Sequence, residues 1–357
     1  MSIRANPFLA ALQERKRITL NWSAKGAGPE LEWPVQFRTM TATPGTDMQP
    51  IGSARHNLWK RAKLPWRSLV QKESISKFET LINAGGETTI VRIAEKLYPA
   101  QVKTIMDTIA RDLYNDGYSA SSDYNKRIHG FQSWLGNTGI TAAQAGNNNG
   151  LVADPSDLYG GLYTNLGYYG GSWTPSASSE YPTGTGTYEY HFWSPLIFST
   201  ATTKYSPTTH DWAHQWKNVF NSAITYFYAQ RGEKWDAFFL NPDSLRAIKD
   251  SLDGNAQIFV RRGPDESTLT KLGFAPISYE GVDIETDHNI VQSNVRGYGV
   301  CFDHLEIMSL QDQLIKKEGD RDITTQSDVV CADAYLNMKI ESPAFSCEFL
   351  DGVTDST

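Results

Sequence analysis

The spacing of apolar residues along the chain changes near residue 76. Residues 63–75 alternate between apolar and polar side chains, a pattern that predicts a β-strand. From there to Leu113, apolar residues recur every three or four positions and predict one face of a long helix. A strand that leads into a long helix is a feature of architecture, so the strongest pattern in the chain concerns fold rather than catalysis.

The long helix carries signals for its start and its course. Ser76 and Glu79 have the spacing of a capping box, in which each side chain bonds a backbone N–H at the helix start. The helix is therefore expected to begin one residue after Ser76, with an interruption at Gly85-Gly86. Pro99 is expected to kink the helix without ending it.

A second helix is predicted from about residue 210 to Gly232, with Thr208 or Thr209 as its N-cap. Its apolar face is formed by Trp212, Trp216, Val219, Phe220, Ala223, Ile224 and Phe227. Such a face predicts a helix that packs against a core.

A buried strand and a third helix follow. Residues 235–240 are almost continuously apolar, which predicts the strand. Asn241 as cap and Pro242 at the first helical position predict a helix that runs to about Leu252.

An early pair of strands is predicted to project from the body of the protein. Residues 31–38 alternate, with Pro34 restricting them to a sheet edge, and a second strand is expected at about 61–74. Residues 30–74 are therefore interpreted as a long two-stranded excursion with a basic tip. A two-stranded ribbon is only marginally stable alone, so we expect it to lie on another surface.

The C-terminal hundred residues return to strand patterns. Strands are predicted at Leu272–Tyr279, Val282–Glu285 and Tyr298–Ile307, and Leu336–Phe349 is predicted to form a final pair of strands that brackets Ser342-Pro343. Residues 137–189, rich in Gly, Asn, Ser, Thr and Tyr, are the least regular part, and we expect short strands there or packing against other copies. The fold class is α+β, without a βαβ series.

Composition indicates a globular chain. Its 357 residues are 40% apolar, enough to bury a large core. No apolar run approaches the roughly 20 residues that span a bilayer, and residues 1–8 lack the apolar core of a signal peptide, so we expect a cytoplasmic protein without membrane contact. Cys301, Cys331 and Cys347 are too scattered for a disulfide framework or a zinc site and are interpreted as buried thiols.

Charge is distributed unevenly. The net charge is −7, but residues 1–27 carry +4 and residues 54–72 carry +6, so the remainder carries −17. Two solvated basic faces would explain this pattern. The alternative is that basic arms lie on the acidic bodies of neighbouring copies.

Few residues form a pattern typical of a catalytic or ligand-binding site. His210 and His214 have the spacing of zinc-protease ligands, but the expected Glu is replaced by Asp211, which a helix start favours in any case. No phosphate loop, nucleophile elbow or calcium loop is present, and Arg261-Arg262 is interpreted as a solvated turn. We therefore assign no catalytic, cofactor-binding or metal-binding residues and expect no cofactor.

The order of these elements resembles the major capsid protein of tailed bacteriophages, the Hong Kong 97-like capsid family. Three groups of segments carry the resemblance: Leu64–Arg67 leading to Ser76 and Asn83–Glu87; His129–Leu135 followed by Tyr159–Leu162; and Ala237–Asp243 with Leu272–Phe274 and Val300–Asp303. The resemblance implies an N-terminal arm, an extended loop that overlaps a neighbour, a peripheral domain built on a long spine helix, and an inserted axial domain.

Mapped onto this sequence, the family pattern implies five regions. They are an arm at 1–27, an extended loop at 28–74, a peripheral domain with spine helix and Gly-rich insertion at 75–190, an axial domain at 191–335, and a return to the peripheral domain at 336–357. The candidate intersubunit contacts are Arg55, Lys60, Arg61, Lys63, Trp66 and Arg67.

The resemblance implies a structural protein and not an enzyme. Its copies would assemble as pentamers and hexamers into an icosahedral shell around double-stranded DNA, which they would touch only weakly and non-specifically. Scaffolding, portal or decoration proteins are further expected partners, and the expected location is the virion capsid, with the host cytoplasm before assembly. Two other functions remain open: a metal-dependent hydrolase using His210 and His214, and a glycan-binding module in the aromatic-rich residues 155–195.

Overall fold

The computed structural model describes residues 6–22, 28–36, 59–78, 87–118, 126–135, 151–152, 158–164, 193, 195–200, 211–252, 277–290, 295–322 and 327–351. The helices in these ranges are α1 (Pro7–Glu14), α2 (Glu87–Asp112), α3 (Gln132–Leu135), α4 (Trp212–Arg231) and α5 (Pro242–Leu252), with 3₁₀ turns at Phe302–His304 and Pro343–Phe345. None of these helices is both long and apolar enough to cross a bilayer.

The strands alternate with these helices along the chain. They are β1 (Ile18–Thr19), β2 (Glu30–Gln36), β3 (Trp59–Pro65), β4 (Arg67–Ser76), β5 (Leu151–Val152), β6 (Leu158–Tyr159), β7 (Leu162–Tyr163), β8 (Leu196–Ser199), β9 (Ala237–Leu240), β10 (Ile277–Tyr279), β11 (Val282–Thr286), β12 (Val295–Val300), β13 (Leu305–Ser309), β14 (Lys316–Asp322), β15 (Ser327–Ile340) and β16 (Ser346–Leu350). The mixture confirms the predicted α+β class.

Two larger sheets organise the molecule. In the first, the 14-residue strand β15 pairs antiparallel with β4 along one side and with β13 and β14 along the other, and β1 lies parallel to β13. The second sheet has the order β10-β11-β9-β12-β16-β8-β5. The chain crosses between the sheets at each of the two 3₁₀ turns.

Helices cover each sheet with apolar side chains. Ile105 and Ile109 of α2, and Leu113 directly after it, are buried in the core of the first sheet. Gln101 donates a hydrogen bond to the Val330 carbonyl of β15 at 3.0 Å. Helix α2 continues through Pro99, as predicted. Burial of this helix face is what the three- and four-residue spacing required.

The second sheet is covered by α4, whose predicted apolar face is buried except for the partly buried Ile224. Gly232 ends this helix in the left-handed conformation, with φ of +70°, as expected of a C-cap glycine. The predicted cap at Thr208 or Thr209 is wrong: Asp211 is the N-cap residue, and its carboxylate lies 2.6 Å from His214 Nδ1 instead of on a backbone N–H.

Two other predicted helix starts are supported by hydrogen bonds. Asn241 Oδ1 accepts a 2.7 Å bond from the Ser244 N–H, so α5 begins as predicted. Ser76 Oγ accepts a 3.2 Å bond from the Phe78 N–H, while Glu79 and Gly85-Gly86 lie outside the described residues.

Two strand predictions need correction. The segment 298–307 is not one strand but β12 and β13, in different sheets, separated by the 3₁₀ turn Phe302–His304. Phe302 and Leu305 are buried on either side of only two polar residues, so the sequence pattern shows too short a break to reveal the turn. The predicted pair of strands around Ser342-Pro343 is present as the end of β15 and as β16. Strand β14 was missed because its sequence, Lys-Lys-Glu-Gly-Asp-Arg-Asp, has no apolar alternation.

The strand pairings differ from the boundaries expected for the axial domain and the extended loop. The boundary at residue 335 falls inside β15. Strands β13, β14 and β15 belong to the sheet that contains β4, whereas β16 pairs with β12 and β8 in the other sheet. The excursion is also shorter than expected, because β4 belongs to the first sheet and only β2 and β3 form a ribbon.

Candidate assembly interface

The ribbon formed by β2 and β3 (the β2–β3 ribbon) is packed against its own chain on one face. The two strands pair in register from Glu30 opposite Pro65 to Gln36 opposite Trp59. The inward side chains are almost fully buried: Leu31, Trp33, Val35, Ala62 and Leu64. Because side chains alternate across a strand, the charged residues between them occupy the opposite, outer face.

The ribbon rests on the turn between β6 and β7. The indole of Trp33 lies 6.0 Å from the Tyr159 ring, and the Lys63 N–H donates to the Gly160 carbonyl at 3.0 Å. Gly160 has a φ of +58°, and a Cβ there would lie only 2.9 Å from the Ala62 Cβ. Glycine is therefore required both for the backbone conformation and for the close approach of the ribbon.

The outer face of the ribbon carries ion pairs within the chain. Lys63 Nζ lies 2.8 Å from Glu32 Oε1 and 3.8 Å from Glu30 Oε2, and Arg61 Nη1 lies 3.6 Å from Glu32 Oε2. The hydrogen bond between Lys63 and Glu32 lowers the pKa of Glu32 and raises that of Lys63. The Arg61 side chain is still 76% exposed, so its guanidinium is accessible to a partner.

Trp66 and Arg67 make contacts inside the chain. Trp66 Nε1 donates to the Gly28 carbonyl at 3.4 Å, and Arg67 Nη2 lies 3.4 Å from the Gly117 carbonyl and 3.3 Å from His129 Nε2. Burial, together with the Arg67 charge, lowers the pKa of His129 to about 3, so its Nε2 can accept a bond from the guanidinium.

Two of the candidate intersubunit contacts remain to be placed. Lys60 is partly buried in β3, and Arg55 lies outside the described residues. The structure therefore brings Arg61 and Lys63 together on one exposed ribbon face, beside the 54%-exposed Trp59, and separates them from Arg67.

The N-terminal basic segment is also engaged by its own chain. Helix α1 is buried, and the Phe8 ring packs 5.3 Å from both Phe131 and Phe239. Arg15 forms an ion pair with Asp236 at 3.2 Å, and Arg17 forms one with Asp303. The acidic partners of these two arginines therefore lie in the same chain and not in a neighbouring copy.

A groove on the outward face of the first sheet was not anticipated from the sequence. It encloses about 560 Å³ and is lined by Val70, Lys72, Glu318, Gly319, Val329, Cys331, Asp333 and Tyr335. Val70 and Tyr335 are 46% and 38% exposed. Asp333 is 95% buried, and while its Oδ2 accepts a 2.6 Å bond from Gln311, its Oδ1 has no hydrogen-bond partner among the described residues. An unpaired buried carboxylate oxygen is costly and favours a cationic partner.

The hydrolase alternative rests on two histidines, of which the structure describes one. His214 is exposed and its Nδ1 contacts Asp211, while His210 lies outside the described residues. Within the described ranges, no three His, Cys, Asp or Glu side chains are grouped as metal ligands would be. Residues 155–195, considered for glycan binding, are described only at 158–164, 193 and 195, where β6 and β7 support the ribbon.

Solved structures with the same arrangement of elements are capsid proteins. The cyanophage A-1(L) capsid aligns with 98% of this chain and 93% of its own, with a TM-score of 0.56 and 14% identity. The capsid of the native GTA particle aligns with 96% and 91%, with a TM-score of 0.54 and 10% identity. The chain has the Hong Kong 97-like capsid fold. In this capsid fold the predicted spine helix corresponds to α2.

Sequence comparison adds nothing to this assignment. No protein-family model matches the chain, and no curated protein matches it. The capsid fold is therefore recognised from the path of the backbone, and neither the hydrolase nor the glycan-binding alternative gains support.

Proposed function

We propose that this chain is the major capsid protein of a tailed bacteriophage and assembles into a closed icosahedral shell. The observation that carries the proposal is the alignment of 96–98% of the chain, and over 90% of the other chain, with phage and GTA-particle capsids. We assign no enzymatic step to the protein.

The proposed contact between copies is the outer face of the β2–β3 ribbon. Trp59 and Arg61 project from this face two residues apart, and both are more than half exposed. An exposed indole beside an exposed guanidinium is the composition typical of interface anchors. Neither residue lines the groove of its own chain.

The groove on the first sheet is the proposed receiving surface of the neighbouring copy. Val70, Val329 and Tyr335 offer an apolar wall for the indole, and the Glu318 and Asp333 carboxylates of the groove lining attract the guanidinium. Charge complementarity of this kind fixes the register of a contact as well as its strength.

Proposed partners follow from this function. They are other copies of the chain as pentamers and hexamers, with scaffolding, portal or decoration proteins possible around the shell and packaged DNA touched weakly. The proposed location is the virion capsid, after assembly in the host cytoplasm. A net charge of −7 fits a shell lining that does not grip phosphates.

The purified full-length chain tests the proposal by sedimentation velocity and negative-stain electron microscopy. Rings of five and six copies, or closed shells, are the expected result. A single monomeric species at low and high salt, up to the highest attainable protein concentration, would overturn it. Zinc bound in stoichiometric amount and lost on changing His210 and His214 to Gln would favour the hydrolase instead.

A further inference from the structure

The two segments that carry the chain between the sheets lie side by side. Residues 301–304 connect β12 to β13, and residues 341–345 connect β15 to β16. The Glu341 N–H donates to the His304 carbonyl at 2.8 Å, and the Cys301 N–H donates to the Phe345 carbonyl at 3.3 Å. These paired segments, here called the sheet joint, set how the two sheets sit relative to each other.

His304 occupies the centre of the sheet joint. Its ring stacks on Phe345 with centroids 3.6 Å apart and planes 11° apart. Its Nδ1 lies 2.9 Å from Glu341 Oε2, and its Nε2 lies 3.1 Å from Glu233 Oε2. Glu233 follows α4, the helix that covers the second sheet, so this one ring connects both crossing segments and that helix.

The arrangement suits only the charged form of the ring. A neutral imidazole carries one N–H and can donate to one carboxylate, whereas the imidazolium donates from both nitrogens. In the neutral form, one of the two glutamates would face a nitrogen lone pair at hydrogen-bond distance. Loss of the proton therefore converts one of the two contacts from attraction into repulsion.

We propose that His304 is a proton-controlled latch of the sheet joint. With the ring charged, it ties Glu233 and Glu341 together and holds the two crossing segments against α4. With the ring neutral, one carboxylate is released and the joint loosens. This inference concerns the isolated chain and does not depend on whether copies assemble.

The direction of the pH effect follows from the contacts. Burial lowers the pKa of His304, but the hydrogen bonds to Glu341 and Glu233 outweigh it and leave the pKa above the ordinary value of 6.5. The His304 bond also lowers the pKa of Glu341 below 4.5. The latch is therefore fully closed between about pH 4.5 and 6.5, and it opens as the pH rises through the folded pKa of His304.

The other charged groups around the joint have contacts of their own. Arg17 pairs with Asp303, Arg231 lies 5.8 Å over the Phe345 ring, and Lys339 pairs with Glu306 at 3.1 Å. Burial raises the pKa of the Cys301 thiol well above 9, so it stays neutral. Among the groups around the joint, His304 is the histidine, the side-chain type that changes charge near neutral pH.

Hydrogen–deuterium exchange of the full chain tests the latch. At pH 6 the amides of residues 301–305 and 341–346 should exchange about tenfold faster in His304→Gln than in the parent, since one charged hydrogen bond is lost. At pH 9 the two proteins should exchange alike. Because proteins are compared at the same pH, intrinsic exchange rates cancel. Equal exchange at pH 6, or an equal difference at both pH values, overturns the proposal.

A matched control and a second measurement complete the test. His214→Gln removes a histidine that also contacts a carboxylate but is 70% exposed and away from the joint, and it should leave exchange there unchanged. Should His304→Gln fail to fold, titration of the carbon-13-labelled ring in the parent decides. A His304 pKa at or below 6.5 would overturn the latch, and a higher one that falls in Glu233→Gln supports it.

Discussion

Gly299 and Cys347 face each other across β12 and β16, with no space between them for another carbon. A Cβ built on Gly299 would overlap Cys347 Sγ and lie 3.0 Å from the Phe238 ring. This close approach lets the central strands of the second sheet pair beneath the aromatic core.

Gly299→Ala should therefore lower the free energy of unfolding by about 1–3 kcal/mol, the usual cost of overpacking. Urea unfolding followed by circular dichroism measures it. In the double variant Gly299→Ala/Cys347→Ala, part of this loss of unfolding free energy should be recovered, because the overlapping sulfur is removed. Gly319→Ala is the control, since its Cβ would meet the nearest atom at 3.7 Å. Additive effects of the two substitutions would contradict this account of the contact.

Glu348 should make stability fall as pH rises. It is fully buried, and burial raises its pKa to about 8, although Gln132 donates a 2.8 Å bond to it. The unfolded chain loses this proton near 4.5 and the folded chain near 8, so unfolding releases a proton between these values. Parent stability should decline by a few kcal/mol from pH 5 to pH 8.

Glu348→Gln should remove most of that decline, because the amide is neutral at every pH. Thermal unfolding at fixed salt from pH 5 to pH 8 measures the slope. Glu318→Gln, a change at an exposed position, should leave the slope unchanged. An unaltered slope in Glu348→Gln would mean that this carboxyl is already ionised in the folded protein.

Gly160 should be required for packing of the β2–β3 ribbon against the β6–β7 turn, whereas Gly161 should affect this packing less. Both Gly160 and Gly161 have positive φ, so alanine costs about 1–2 kcal/mol of backbone strain at either position. Only at Gly160 would the new Cβ meet another residue, Ala62 at 2.9 Å. Gly160→Ala should therefore expose Trp33, measured as increased quenching of tryptophan fluorescence by acrylamide. Equal quenching in Gly161→Ala would show that strain alone is responsible.

The sequence predicted elements whose signals are local. Asn241-Pro242 predicted the start of α5, and the spacing of Ile105 and Ile109 predicted the buried face of α2, because helix periodicity and capping depend on near neighbours. The resemblance to phage capsid proteins was confirmed as a fold.

Features that depend on distant pairing were not predictable. Nothing in the local sequence distinguishes Asp333 from an ordinary acidic residue on a strand. Its surroundings come from Gln311, between β13 and β14, and from Val70 on β4. The same holds for His304, whose carboxylate partners lie 71 and 37 residues away. The change of sheet at the 302–304 turn was also missed, because only two polar residues separate the buried Phe302 from the buried Leu305.

The proposed contact between copies predicts a specific crosslink. Cys331 lies in the groove and is partly exposed, whereas Cys301 and Cys347 are buried, so Cys331 is the native thiol best placed to react. If Arg61 of one copy reaches the groove of another, Arg61→Cys should form an intermolecular disulfide with Cys331 when the assembled protein is treated briefly with diamide. Non-reducing electrophoresis would then show dimers, because the two thiols belong to different chains.

Two controls make this prediction specific to the ribbon and the groove. Thr225→Cys places a thiol on the exposed face of α4, away from the groove, and should give few dimers. Adding Cys331→Ser to Arg61→Cys should abolish the dimers of the first variant, since the groove thiol is then missing. Dimers that persist without Cys331, or that form equally from Thr225→Cys, would show that the ribbon does not enter the groove. That result would leave the capsid proposal intact, provided that the parent still forms shells, and would place the contact on another surface.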